Sequence, residues 1–259
     1  MIISISNQKG GVAKTTTAFT ISNILANHKK STLMIDLDPQ ASLSLLSGIN
    51  KRKIMKNMYQ VICEGINIQN IIINNICQKN NLHLAPSSMH LSNADIKLAN
   101  ETGRENILKK ILEKIKNQYD FIIIDTSPAL SLLVTNALVA SNNILIPVCA
   151  DNLSYEGLTD LFETINKVKE NLNPILNILG IVITQYDKRT LHSREAKAFL
   201  EENYNIIATI PVSTQVKDAT LTGKSISDLA PNHEITKNYK KVTEVILNAK
   251  QEDIIRSET

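Results

Sequence analysis

Lys9, Lys14, Thr15 and Thr16 stand together in the run Lys-Gly-Gly-Val-Ala-Lys-Thr-Thr at positions 9–16. Two lysines and two hydroxyls around a glycine pair suit the chemistry of a polyphosphate. In a Gly-rich turn that opens a helix, backbone N–H groups point inward and the positive end of the helix dipole faces an anion. Lys14 then reaches the β- and γ-phosphates, and the Thr15 hydroxyl ligates Mg²⁺. Gly10, Gly11, Val12, Ala13 and Thr16 complete the cradle. The usual phosphate-loop pattern has Gly where this chain has Gln8 and Ala13. Ala is the smallest replacement, so close approach to phosphate is expected with a negative φ at Ala13. Glycine pairs and Lys-Thr dipeptides also occur in ordinary turns, so the surrounding elements must decide.

Two acidic segments could share that site. Residues 35–40 read Ile-Asp-Leu-Asp-Pro-Gln, and residues 121–125 read Phe-Ile-Ile-Ile-Asp. Each is an apolar strand ending in a carboxylate, and in open α/β sheets such strand ends face the ligand crevice. Asp125 suits a Mg²⁺ held through water. Asp36 and Asp38 share a side if their strand continues through both, but the turn toward Pro39 works against that. The alternative is a pair of loop-capping aspartates.

The elements that must position these residues are legible as alternating patterns. Apolar runs predict strands at Ile2–Ser6, Thr32–Asp36, Leu82–Ala85, Phe121–Asp125, Ile144–Val148, Ile178–Thr184 and Ile206–Ile210. Several are apolar at consecutive positions, as in strands covered on both faces. Helical patterns lie between them. One runs from about Thr15 to Asn27, and another carries Ile107, Leu108, Ile111, Leu112 and Ile115 on one face. A third spans about Glu156 to Asn171, and the last about Glu234 to Lys250. The alternation predicts an α/β fold, a mostly parallel twisted sheet with helices on both faces. Residues 48–81 are polar and Asn-rich, and are expected to hold a small helix or two and a loop at the edge. No repeat or linker is visible, so one domain over residues 1–259 is expected.

Composition removes several classes of function. The chain has 259 residues and a net charge of +3, too balanced for a dedicated nucleic-acid binder, so any DNA contact must come from a local patch. Aromatic residues are 4% and Trp is absent, which argues against stacking on single strands as the main activity. The three cysteines, Cys63, Cys77 and Cys149, form no C-x-x-C pair, and the histidines have no zinc spacing. The N-terminus enters a strand at once, so no signal peptide is expected, and no apolar run approaches the ~18 residues that span a bilayer. A cytoplasmic protein is expected.

Lys9, five residues before Lys14, is the signature lysine of the deviant Walker A motif. With Ile-Asp-Leu-Asp-Pro-Gln and the Walker B strand ending at Asp125, the chain resembles the ParA/MinD group of ATPases, and in detail the short Soj-like ParA proteins of DNA partition. Ile146-Pro147-Val148, Glu156-Gly157-Leu158, the run Ile-Thr-Gln-Tyr-Asp-Lys-Arg-Thr at 183–190 and Ile210-Pro211 also match, so the resemblance extends from residue 2 to about 230. It implies a P-loop ATPase fold that uses ATP and Mg²⁺ and hydrolyses ATP to ADP and phosphate. It assigns Asp38 to the attacking water, Asp36 to the outer shell of Mg²⁺ and Pro211 to the loop beside the adenine. It implies that Lys9 reaches the nucleotide of a second subunit in an ATP-bound homodimer. The implied partners are nonspecific double-stranded DNA and a ParB-type centromere-binding protein that stimulates hydrolysis. The implied location is the nucleoid.

The chain departs from the family in places. Ser127 replaces a usual Pro, and Asp151 a frequent Glu in a loop that lies near nucleotide and partner subunit in the family. After Ile210-Pro211, Soj-like proteins usually continue Arg-Asn-Val-Arg, and this chain has Val212-Ser213-Thr214-Gln215. Those arginines belong to a region implicated in DNA binding. Lys188, Arg189, Lys217 and Lys224 are the candidate replacements, with Lys237, Lys240 and Lys241 next; the alternative is that they are ordinary solvated charges.

Three other readings remain at this point. A MinD-like positioning ATPase acting at a membrane needs an amphipathic C-terminal anchor. The end here, Ala-Lys-Gln-Glu-Asp-Ile-Ile-Arg at 249–256, contains acids and lacks an aromatic residue, so no stable membrane association is expected. A reductase of the nitrogenase iron-protein type needs two suitably placed cysteines, and only Cys149 lies at a strand end near the site. A nucleotide-switched scaffold without catalysis is opposed by the retention of Lys14, Asp38 and Asp125.

Overall fold

The computed structural model describes residues 1–50, 54–129, 131–151, 156–216, 219 and 223–258, with backbone alone for 156 and 253–258. Each predicted strand forms, within two residues of the expected bounds: β1 Ile2–Ile5, β2 Thr32–Leu37, β3 Leu82–Ala85, β4 Phe121–Thr126, β5 Asn143–Cys149, β6 Asn177–Tyr186 and β7 Ile206–Pro211. They make one seven-stranded sheet in the order β3-β2-β4-β1-β5-β6-β7, and every named pairing is parallel. From β1 the chain goes out to β2 and β3, returns to insert β4 between β2 and β1, and then crosses β1 to build β5, β6 and β7 on the other side. The carboxyl ends of β1, β2 and β4 therefore meet at the switch in winding direction, where open α/β sheets bind ligands.

Alternation along the strands builds two separate cores. On β4, Phe121 and Ile123 join Ile3, Ile5 and Leu145 against helix α1 (Lys14–Asn27) and the C-terminal helix (Glu234–Glu258). Ile122 and Ile124 point the other way, with Leu33 and Ile35, onto α5 (Ile107–Glu113) and α6 (Leu132–Ala140). Further along that side, Ile144, Ile146, Ile181 and Ile183 pack on α6 and α7 (Glu156–Asn171). Burying each of these aliphatic side chains contributes about 1.5–3 kcal/mol before entropy is subtracted. Consecutive apolar residues thus follow from a sheet covered on both faces.

The described residues of the 48–81 segment include a short helix, α3 (Met58–Glu64), and 3₁₀ turns at the β3 edge. Asn57 and Gln60 cap α3 reciprocally, a sequence signal of the capping-box kind. Further helices are α2 (Ser42–Leu46), α4 (Ala94–Lys97), α8 (Leu191–Asn203) and the short Ile226–Leu229. The C-terminal helix continues eight residues past the predicted Lys250, to Glu258. No described helix is long and apolar enough to cross a membrane.

Candidate functional site

The loop between β1 and α1 is fixed at its entrance by Asn7. The Asn7 amide donates to Pro147 O on β5 at 2.7 Å, and its Oδ1 accepts from Lys9 N at 2.9 Å. Gly11 and Ala13 are both left-handed, with φ of 76° and 63°. The expected negative φ at Ala13 is therefore not found. The turn needs left-handed residues at alternate positions to aim its amides inward, the arrangement that makes an anion-binding nest. A non-glycine residue bears a strain of about 1–2 kcal/mol there.

Ala13 is also the residue before α1, and it offers no capping side chain. The first turn of α1 carries no acidic residue. A helix start left uncapped presents free N–H groups and an uncompensated positive dipole. Lys14 lies across this nest, only 6% exposed. Its ammonium donates to Asn7 O and to Lys9 O, both at 2.9 Å. Burial lowers its pKa, while the charges on Asp125 and Asp38 pull the other way.

Three carboxylates border the loop, and the fold gives them different surroundings. Asp36 and Asp125 are register partners on adjacent strands, and both are fully buried. Asp36 accepts from Asp38 N at 3.2 Å, Ser44 N at 2.8 Å and Ser44 Oγ at 2.7 Å, which ties β2 to α2. Burial raises its pKa to about 6, against those hydrogen bonds. Among the described residues, neither oxygen of Asp125 has a hydrogen-bond partner. Burial, then the Asp36 charge, push Asp125 well above the usual carboxylate range, and the neighbouring Thr15 hydroxyl opposes this. Asp38 lies beyond the end of β2, so it does not share a side with Asp36. It caps Gln40 N at 2.9 Å and faces the cleft. The loop-capping alternative thus describes the hydrogen bonds that both aspartates make.

A buried, unpartnered carboxylate beside a hydroxyl and a phosphate cradle fits a divalent cation. Among the described residues no group of three or more His, Cys, Asp or Glu side chains is placed to hold a metal. Mg²⁺ takes one or two carboxylates and completes its shell from phosphates and water.

A cleft of about 1010 Å³ opens over the loop. Gly10, Gly11, Val12, Ala13, Lys14, Thr15, Thr16, Asp38 and Pro211 all line it. Lys9 lies outside this lining. Its ammonium pairs with Asp151 Oδ1 at 2.6 Å, just after β5 in the same protomer. Sequence reasoning missed Thr184, Gln185 and Tyr239, which also line the cleft. Tyr239 comes from the C-terminal helix, fully buried, and shares a hydrogen bond with Thr17 Oγ1 at 3.2 Å. The strand-end rule was the available signal for Thr184; nothing local marked Tyr239.

The described candidate DNA residues come from two loops. Lys188 and Arg189 follow β6, and Lys224 lies on the loop before the short helix Ile226–Leu229. Arg189 is held in a two-point pair by Asp187, at 2.9 and 2.7 Å. Lys217, and the segment 152–155 between the matched Ile146-Pro147-Val148 and Glu156-Gly157-Leu158, lie outside the described residues.

Parallel order, cradle and acidic strand ends together define a P-loop nucleotide-binding protein. A family model described as an AAA domain matches residues 1–178. The sporulation initiation inhibitor protein Soj of Bacillus subtilis is 36% identical over 230 residues, covering 87% of this chain and 89% of Soj. A putative plasmid partition protein of Borrelia burgdorferi, solved with AMPPNP, superposes with a TM-score of 0.80 at 29% identity, covering 96% and 98% of the two chains. A cobyrinic acid a,c-diamide synthase of Mycobacterium smegmatis, solved with ADP and magnesium, gives 0.81 at 28% identity, covering 95% and 93%. The chain belongs to the ParA/MinD superfamily of P-loop ATPases.

Proposed function

We propose that this protein is a ParA-type partition ATPase that hydrolyses ATP with Mg²⁺ and uses the nucleotide to control dimerisation and nonspecific DNA binding. The observation that carries the reading is a cleft lined by Lys14 and the uncapped start of α1, with the unpartnered Asp125 buried beside Thr15 and Lys14. Lys14 and the inward amides bind the phosphates, and Thr15 and Asp125 hold the metal, with Asp36 behind them. Bound Mg²⁺ neutralises charge on the β- and γ-phosphates. Asp38, at the mouth of the cleft, orients the attacking water, and Lys9 acts across a homodimer interface. Pro211 and the apolar wall around it take the base. A ParB-type partner stimulates turnover, and Lys188, Arg189, Lys217 and Lys224 contact DNA phosphates at the nucleoid. Similarity to Soj and to the plasmid partition protein supports this branch over a membrane-positioning ATPase or a scaffold.

Binding to duplex DNA in ATP, in ADP and without nucleotide, across a salt series, tests it. The expected result is salt-sensitive, sequence-independent binding with ATP alone, lost in Lys14→Ala along with nucleotide binding. ATP turnover without any DNA binding would move the protein to the membrane reading, and absence of turnover to the scaffold.

A further inference from the structure

A phosphate nest works only if the loop carbonyls turn away from the ligand, and the structure shows what holds five of them. Asn7 O and Lys9 O are taken by the Lys14 ammonium. Ala13 O is taken by Thr17 N at 2.9 Å inside α1. Gly11 O and Val12 O, at the crest of the loop, are held from β6. Gln185 Nε2 donates to Gly11 O, and Thr184 Oγ1 donates to Val12 O at 3.2 Å. Thr184 also lies 3.3 Å from Val148 O on β5.

The backbone is bent to make this possible. Between Ile183 and Tyr186 the β6–β7 register slips, with three steps on β6 against two on β7. Gln185 is left-handed there, with φ of 53°. A bulge re-aims side chains that would otherwise alternate across the sheet. Here it brings two consecutive side chains to two consecutive loop carbonyls. A non-glycine residue in this conformation is strained, and such strain concentrates at functional positions.

We infer that Thr184 and Gln185 are positioning residues for the phosphate loop, holding the Gly11 and Val12 carbonyls outward so that the next amides face the β-phosphate. They act through the loop backbone and need no contact with the nucleotide. The inference rests on the nucleotide-binding reading above.

The test compares wild type with Thr184→Val, Thr184→Ser and Gln185→Ala. It measures ADP–Mg²⁺, ATP–Mg²⁺ and GTP–Mg²⁺ affinity by titration, and melting without nucleotide. Loss of one hydrogen bond to the loop should weaken ATP and ADP equally, by about tenfold in Thr184→Val and in Gln185→Ala. Thr184→Ser keeps the hydroxyl and should restore the affinity. The ATP to GTP ratio should stay unchanged. Wild-type affinity in both Thr184→Val and Gln185→Ala would overturn the inference. A changed ATP to GTP ratio would overturn it too, since the pair would then read the base. Lower affinity that tracks lower melting, without rescue by Ser, would reduce Thr184 to a structural part of β6 and likewise end it. Wild type failing to bind either adenine nucleotide would instead defeat the underlying function.

Discussion

The Lys9 ammonium lies 2.6 Å from Asp151 Oδ1, joining the phosphate loop to the end of β5 across 142 residues. The side chains are 29% and 37% exposed, and a pair so open to solvent contributes about 0–1 kcal/mol. On the trans-acting role proposed for Lys9, this pair would be exchanged for a nucleotide across a dimer. Lys9→Ala should therefore melt within about 1 kcal/mol of wild type and bind ATP normally, yet fail to dimerise with ATP in light scattering. Gly10→Val should do the same, because a Cβ at Gly10 meets nothing within its own protomer. Unchanged dimerisation in both variants would refute the trans role.

Asp38→Ala removes a turn cap on Gln40 and leaves Asp125 and Lys14 in place. Nucleotide affinity should be retained while turnover falls by about 10²–10⁴, the usual contribution of a positioned general base. Single-turnover phosphate release measures this, and a wild-type rate would move the water-handling role elsewhere.

Asp36 gives the fold a pH dependence of known sign. Its pKa rises from 3.8 to about 6 on folding, so the folded state holds a proton in that interval that the unfolded state has lost. Its contribution is fully present below pH 3.8 and falls by roughly 3 kcal/mol as pH rises to about 6. Denaturant midpoints of wild type, referred to Asp36→Asn, should fall through this window. Mg²⁺ needs the carboxylates ionised, so Mg²⁺-nucleotide affinity should weaken in the opposite direction, as pH drops.

Gly180 is a position where the sheet tolerates no side chain. Its φ is 147°, and a Cβ would lie 2.8 Å from Asn205 O and 2.9 Å from Ile207 Cγ1. Gly180→Ala should destabilise by about 1–3 kcal/mol in urea unfolding, and an unchanged midpoint would show that β6 and β7 part easily.

Arg189 carries its own counter-charge in Asp187, whose pKa its hydrogen bonds lower to about 2. If Arg189 contacts DNA, Asp187→Asn should strengthen ATP-dependent binding and leave turnover without DNA unchanged. Arg189→Glu should weaken binding to every duplex alike and flatten the salt slope by about one unit. DNA affinity unaltered at low salt in both variants would shift attention to Lys237, Lys240 and Lys241.

The sequence by itself determined the local elements and the nucleotide loop. Consecutive apolar runs mark strands because a covered sheet buries both faces, and Lys14–Thr15 follow a strand and open a helix. Only the tertiary structure decided what crosses the sheet. Asp36 and Asp38 read as a pair, but β2 ends between them, leaving one buried against Asp125 and the other at the cleft. The left-handed Ala13 is set by the shape of the nest and not by its own preference. Thr184, Gln185 and Tyr239 reach the site through strand order, a bulge and a terminal helix, and contacts made across 172, 174 and 222 residues leave no local pattern to read. Such contacts depend on which elements pack together, and periodicity records only which side of an element faces the core.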